Sequence, residues 1–125
     1  MDLNNLSYQI RGAFFEVHNQ LGPGLFESVY ESALAYELNS LGLTVQCQVA
    51  LPAQYKDVRL DLGFRLDILV EESIIIEVKS IETLTDVHAK QLLTYLRLSG
   101  IKLGLLVNFN VPKLIDKISL IRIVN

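Results

Sequence analysis

Apolar residues return every three or four positions across the first twenty residues, at Leu6, Ile10, Ala13, Phe14 and Val17. That spacing predicts an amphipathic helix, with Asn4 or Asn5 placed to cap its start. Leu21-Gly-Pro-Gly24 breaks the pattern. A second helical face follows in Phe26, Val29, Tyr30, Ala33, Leu34 and Leu38, closing at Gly42. From Thr44 the period changes to two: Val45, Cys47, Val49 and Leu51 alternate with polar residues, as in a half-buried strand. Residues 58–70 and 73–79 read as two more strands joined at Glu71-Glu72-Ser73. Ile74-Ile75-Ile76 is apolar on both faces, which suits a central strand. Thr85 or Asp86 opens a helix through Leu92, Leu93, Leu96 and Leu98 that ends at Gly100. Residues 102–109 and 118–124 are two last apolar runs of strand length. The order is α-α-β-β-β-α-β-β. A strand–helix–strand unit after a hairpin predicts an α/β fold with a mixed central sheet flanked by helices.

The chain has 125 residues, the size of a single domain spanning 1–125. Half of them are hydrophobic and 20% are charged, enough apolar surface for a core and too much for a disordered chain. No apolar run approaches the ~18 residues of a membrane span, so no membrane partner is expected. The N-terminus lacks the basic start and apolar stretch of a signal peptide, which makes the cytoplasm the expected location. Cys47 is the only cysteine, so neither an internal disulfide nor a cysteine-built zinc site is expected. Eleven Lys and Arg against fourteen Asp and Glu give a net charge of −3. That balance argues against a passive nucleic-acid binder, whose affinity comes largely from neutralising phosphates. A protein with this charge that handles nucleic acid needs a bound cation or a local basic patch.

The informative segment runs from Asp67 to Lys79. If Glu71–Ser73 forms a three-residue turn, Asp67 lies opposite Glu77 across the hairpin. Side-chain alternation then puts Glu77 and Lys79 on one face. A register slip of one residue would separate the two acids. Facing carboxylates ~5 Å apart repel by about 3 kcal/mol at an effective dielectric of ~20. A hard divalent cation offsets this, and Mg²⁺ characteristically takes one or two carboxylates while keeping several waters. On spacing alone the simpler reading is an ion-paired sheet edge, with Lys79 or Arg65 neutralising the acids. Gln91 and Tyr95 stand four apart on the next helix, hence on one face, with His88 just before them. Glu27 falls in the first turn of the second helix, where a carboxylate by itself complements the helix dipole. Tyr30 and Tyr95, taken singly, read as core-edge aromatics, and His18 as a helix-capping residue.

Taken together, Asp67, Glu77-Val-Lys79 and Gln91-Leu-Leu-Thr-Tyr95 resemble the PD-(D/E)XK nuclease superfamily, including the Q-x-x-x-Y element of its exonuclease-like branch. Gly24-x-x-Glu27-x-x-Tyr30 resembles the signature of the GxxExxY family within that superfamily, and Leu103–Phe109 is similar to its late strand. The likeness runs from about His18 to the C-terminus. Each motif alone is weak; four in order at suitable spacing are strong. Leu66 stands where the superfamily's name has Pro, which supplies no ligand. The resemblance implies a restriction-endonuclease-like sheet and a Mg²⁺ or Mn²⁺ site formed by Asp67 and Glu77, completed by Glu27. It implies Asp67, Glu77 and Lys79 as the catalytic set, with Lys79 activating the attacking water or stabilising developing charge. Gln91, Tyr95 and Tyr30 are the implied substrate contacts.

The implied activity is metal-dependent hydrolysis of phosphodiester bonds, in DNA before RNA. A cation suits that chemistry because it lowers the pKa of a bound water and acts as a Lewis acid. The alternative is a catalytically inactive nuclease fold serving as a nucleic-acid-binding or assembly module. The costly Asp67–Glu77 pair, retained with Lys79, favours the enzyme. Ile118–Val124, if it lies at a sheet edge, offers a second copy of the chain a place to pair and form a homo-oligomer.

Overall fold

The computed structural model describes residues 2–125, without the side chains of residues 52, 53, 61 and 62. Its elements are α1 (Leu3–Leu21), α2 (Glu27–Ser40), β1 (Val45–Tyr55), β2 (Val58–Val70), β3 (Ile74–Lys79), α3 (Asp86–Ser99), β4 (Leu103–Asn108) and β5 (Leu120–Val124), in the expected order. The strands lie side by side in chain order. Neighbours are antiparallel except β3 and β4, which run parallel. Parallel neighbours need a crossover, and α3 supplies it. No helix among the described residues is long and apolar enough to cross a membrane.

The sheet has a core on each face. Leu6, Ile10 and Phe14 of α1 and Leu34 and Leu38 of α2 cover the face that carries Ile68, Ile74, Ile76 and Val107. On the other face Leu92, Tyr95 and Leu96 of α3 pack against Leu66, Leu69, Ile75 and Leu106. Both faces of β3 are therefore covered, and every residue from Ile74 to Val78 is buried, Glu77 included. Glu77 has the parity of Ile75, which directs it to the α3 side.

Close approach of α3 to the sheet depends on Gly104. A Cβ at that position would lie 2.9 Å from Cγ and Cδ1 of Leu92, itself fully buried. Gly104→Ala should therefore destabilise the fold by about 1–3 kcal/mol, the usual cost of overpacking a core. Urea denaturation checks this, and a variant as stable as wild type would refute the tight contact.

Two local expectations change. The cap of α1 is Asp2, whose carboxylate accepts the Asn4 N–H at 3.1 Å, in place of Asn4 or Asn5. The second change concerns the alternation of β1. Val45 packs on the α1–α2 side, whereas Val49 and Leu51 pack on the α3 side. β2 shows the same exchange between Ile68 and Leu66. Both strands thus turn over at Gln48 and Asp67, and Gln48 takes the left-handed backbone that permits this (φ 53°). Since β2 pairs with β3 only from Ile68 to Val70, the outer parts of β1 and β2 continue as a ribbon beyond it.

Candidate active site

The turn between β2 and β3 sets the register. It consists of Glu71, Glu72 and Ser73, both glutamates having left-handed backbone (φ 52° and 51°). The Ser73 N–H closes it on the Val70 carbonyl at 2.9 Å, and the Glu71 carboxylate accepts the Thr44 N–H at 2.6 Å. With the turn so fixed, Ile68 pairs with Ile76 and Leu69 with Ile75, so the next pair outward is Asp67 and Glu77.

At that pair the backbone ladder gives way to side chains. Asp67 Oδ2 accepts the Val78 N–H at 2.9 Å, and Glu77 Oε1 accepts the Asp67 N–H at 3.3 Å. Each acid thus caps the other's strand where β2 leaves β3. Burial, then the charge of Asp67, pushes the Glu77 carboxyl up to about 8. Glu77 is consequently protonated at neutral pH unless a positive charge comes close. Lys79 acts in the opposite sense and favours the ionised form. The anticipated ion pair is not what holds these acids. Arg65 donates to the Gln48 carbonyl at 3.3 Å, and the one salt bridge among the described residues joins Arg11 to Asp116.

α2 contributes from above the end of β3. The Glu27 carboxylate accepts the Ser80 N–H at 3.0 Å, and Ser80 Oγ donates to the Leu25 carbonyl. The helix acid is thereby tied to the residue after Lys79. One turn further along, Glu31 also faces the site: Gln48 Nε2 donates to its two oxygens at 3.1 and 3.0 Å and stands 3.5 Å from Asp67 Oδ1. Burial raises the Glu31 carboxyl, the Gln48 hydrogen bond opposes that, and the Asp67 and Glu27 charges add to the rise. Neither Glu31 nor Gln48 stood out in the sequence. The only signal for Glu31 was its four-residue spacing from Glu27, which puts both on one helix face, and Gln48 on β1 had none.

The aromatic residues part company. Tyr95 lies against Phe64 with ring centroids 5.1 Å apart, and its hydroxyl is raised by burial, then by the charges of Glu77 and Asp67. It borders the acids. Gln91 is exposed and has no hydrogen-bond partner among the described residues, so no contact ties it to the acids. Tyr30, expected at a substrate contact, is fully buried. Its hydroxyl donates to the Gly22 carbonyl and accepts the Leu25 N–H at 3.2 Å, while its ring stacks on Phe109 with centroids 4.6 Å apart. In this arrangement it braces the loop that delivers Glu27. His18 bonds the Val111 carbonyl at 2.7 Å and His88 Nδ1 accepts the Thr85 N–H at 3.0 Å, so both serve local structure.

The donor set suits a hard cation: carboxylate oxygens, one of them buried and repelled by its neighbour. Among the described residues no three His, Cys, Asp or Glu side chains stand close enough to form a ready-made cage. Asp67 and Glu77 nonetheless meet the usual requirement of Mg²⁺ for one or two carboxylates, with water and substrate phosphate filling the shell.

A family model described as the PD-(D/E)XK nuclease superfamily matches residues 4–121. The chain belongs to that superfamily, and its five-stranded mixed sheet flanked by helices is consistent with the restriction-endonuclease-like fold. Neither a curated protein nor a solved structure matches it.

Proposed function

We propose that the protein is a divalent-cation-dependent nuclease of the GxxExxY type that hydrolyses phosphodiester bonds in nucleic acid, DNA before RNA. The observation that carries this reading is the meeting of Asp67 and Glu77 at the point where β2 and β3 part, with Lys79 two residues on. Asp67 and Glu77 would hold Mg²⁺ or Mn²⁺, with Glu27 as the helical acid beside them. The cation would supply an acidified water and a counter-charge for the phosphate oxygens.

The chain's own residues do the rest. The two strand N–H bonds orient the carboxylates before any ligand arrives, so little reorganisation accompanies binding. Lys79 makes no ion pair among the described residues, which leaves its ammonium for the scissile phosphate. Tyr95 and the neighbouring Phe64 offer aromatic surface beside the acids, and Gln91 lies one turn from Tyr95 on the exposed side of α3. The net charge of −3 fits a site that relies on a bound cation for affinity. Cytoplasmic location belongs to the same reading.

Cleavage of single- and double-stranded DNA and RNA with Mn²⁺, wild type beside Glu77→Ala, tests it. Cleavage by wild type that is lost in the variant and in chelator is the expected result. Wild type indistinguishable from Glu77→Ala on all four substrates would refute it.

A further inference from the structure

We propose that the cavity formed by α1, β4 and β5 is a binding site for a small organic carboxylate, one negative charge on an apolar body about the size of a benzene ring. The cavity has a volume of about 170 Å³ and shares no residue with the Asp67–Glu77 site. Phe14 of α1, Leu105 of β4 and Leu120 of β5 supply apolar wall, and Ser7, Arg11, Asp116 and Arg122 supply the polar groups. An apolar cavity of ~150 Å³ is enough to hold benzene.

The polar groups are arranged for an anion. Arg11 and Asp116 neutralise each other through two hydrogen bonds, Nε to Oδ1 at 3.2 Å and Nη2 to Oδ2 at 2.7 Å. Arg122 is left as the net charge of the cavity. Its guanidinium has no carboxylate partner among the described residues and donates to two neutral oxygens, Ser7 Oγ and Asn4 Oδ1, both at 3.2 Å. Most of its N–H groups therefore remain for a ligand. Ser7 is only 8% exposed, and its hydroxyl, which accepts from Arg122, has no acceptor for its own proton among the described residues. A buried hydroxyl with an uncommitted proton, beside a guanidinium without an acid, gives a carboxylate two donors to bridge. Charge selects carboxylate over phosphate. Two arginines against one aspartate leave a single positive charge, whereas a phosphate monoester carries about −1.5 to −2 near neutral pH.

The test is a nuclear magnetic resonance titration of the full chain, following backbone amides, with benzoate and neutral benzamide as probes. Benzoate should shift the amides around Ser7, Arg11, Leu105 and Arg122. Benzamide has the same ring without the charge and should bind about tenfold more weakly. Arg122→Gln should weaken benzoate by about tenfold or more, the usual effect of losing a hydrogen bond to a charged group, and should leave benzamide nearly unchanged. Ser7→Ala should weaken benzoate about fivefold, as loss of a neutral donor does. Arg122 is exposed and alanine favours the helix, so both variants should fold, and their spectra report it directly. No shift with benzoate, shifts centred elsewhere, equal affinity for the two probes, or wild-type affinity in Arg122→Gln would each overturn the inference. Wild-type affinity in Ser7→Ala would overturn the role of the hydroxyl. Asp67 and Glu77 take no part in this binding, so each outcome is independent of the nuclease reading.

Discussion

Glu77→Gln should make the cation-free protein more stable than wild type above about pH 8, and should remove most of the pH dependence of its stability. The sign follows from the direction of the shift. An unfolded chain ionises Glu77 near ~4.3, whereas in the folded protein burial and the Asp67 charge hold it at about 8. Between those values the folded state keeps a proton that the unfolded state has lost. Stability therefore falls as pH rises through that window and levels off above it. The loss is on the order of 3–5 kcal/mol, each unit being worth about 1.4 kcal/mol. Glutamine does not titrate, and its amide oxygen can still accept the Asp67 N–H.

Urea midpoints for both proteins in chelator, from about pH 5 to about pH 9, measure this directly. Parallel curves would show that Glu77 ionises normally. Mn²⁺ added near pH 8 should reverse the ranking, because a ligand that binds the folded state stabilises it and the variant has lost that ligand's partner. Function and stability are thus opposed at this residue: the carboxylate that destabilises the empty fold is the one that makes the site attractive to a cation.

Lys79→Ala should lower single-turnover cleavage by about 10²–10³, the usual effect of removing one preorganised electrostatic donor, while leaving Mn²⁺ affinity nearly unchanged. Lys79 is half-buried at the end of β3, beside the acids and without an ion-pair partner among the described residues. Its charge is felt by Glu77, yet it is free to turn to a phosphate. Lys79→Arg should not restore the rate, because a planar guanidinium is bulkier than a compact ammonium and distributes its charge differently. Equal cleavage by wild type and Lys79→Ala at saturating Mn²⁺ would remove this role from the lysine.

The helices and strands were legible because their signals are local. Apolar spacing marked α1 and α2, Gly42 and Gly100 marked helix ends, and the acidic turn at Glu71–Ser73 set the register that puts Asp67 next to Glu77. The family motifs added Tyr95, whose hydroxyl feels the charges of both acids, and Glu27, which is tied to the Ser80 N–H just after Lys79. What was not legible depends on groups remote in sequence. Alternation along β1 placed Val45 and Val49 on one face. The observed turnover at Gln48 separates them, since each side of the sheet has its own helices to pack against.

The sequence by itself determined the order of elements, the hairpin register and the opposition of two carboxylates, since each follows from side-chain period and turn length within a few residues. Only the tertiary structure decided how those groups behave. Burial between two packed faces keeps Glu77 protonated near neutrality, the turnover of β1 brings Gln48 and Glu31 to Asp67, and stacking on Phe109 withdraws Tyr30 into the core. Desolvation and cross-element contact are properties of the packed fold, and no local pattern encodes them.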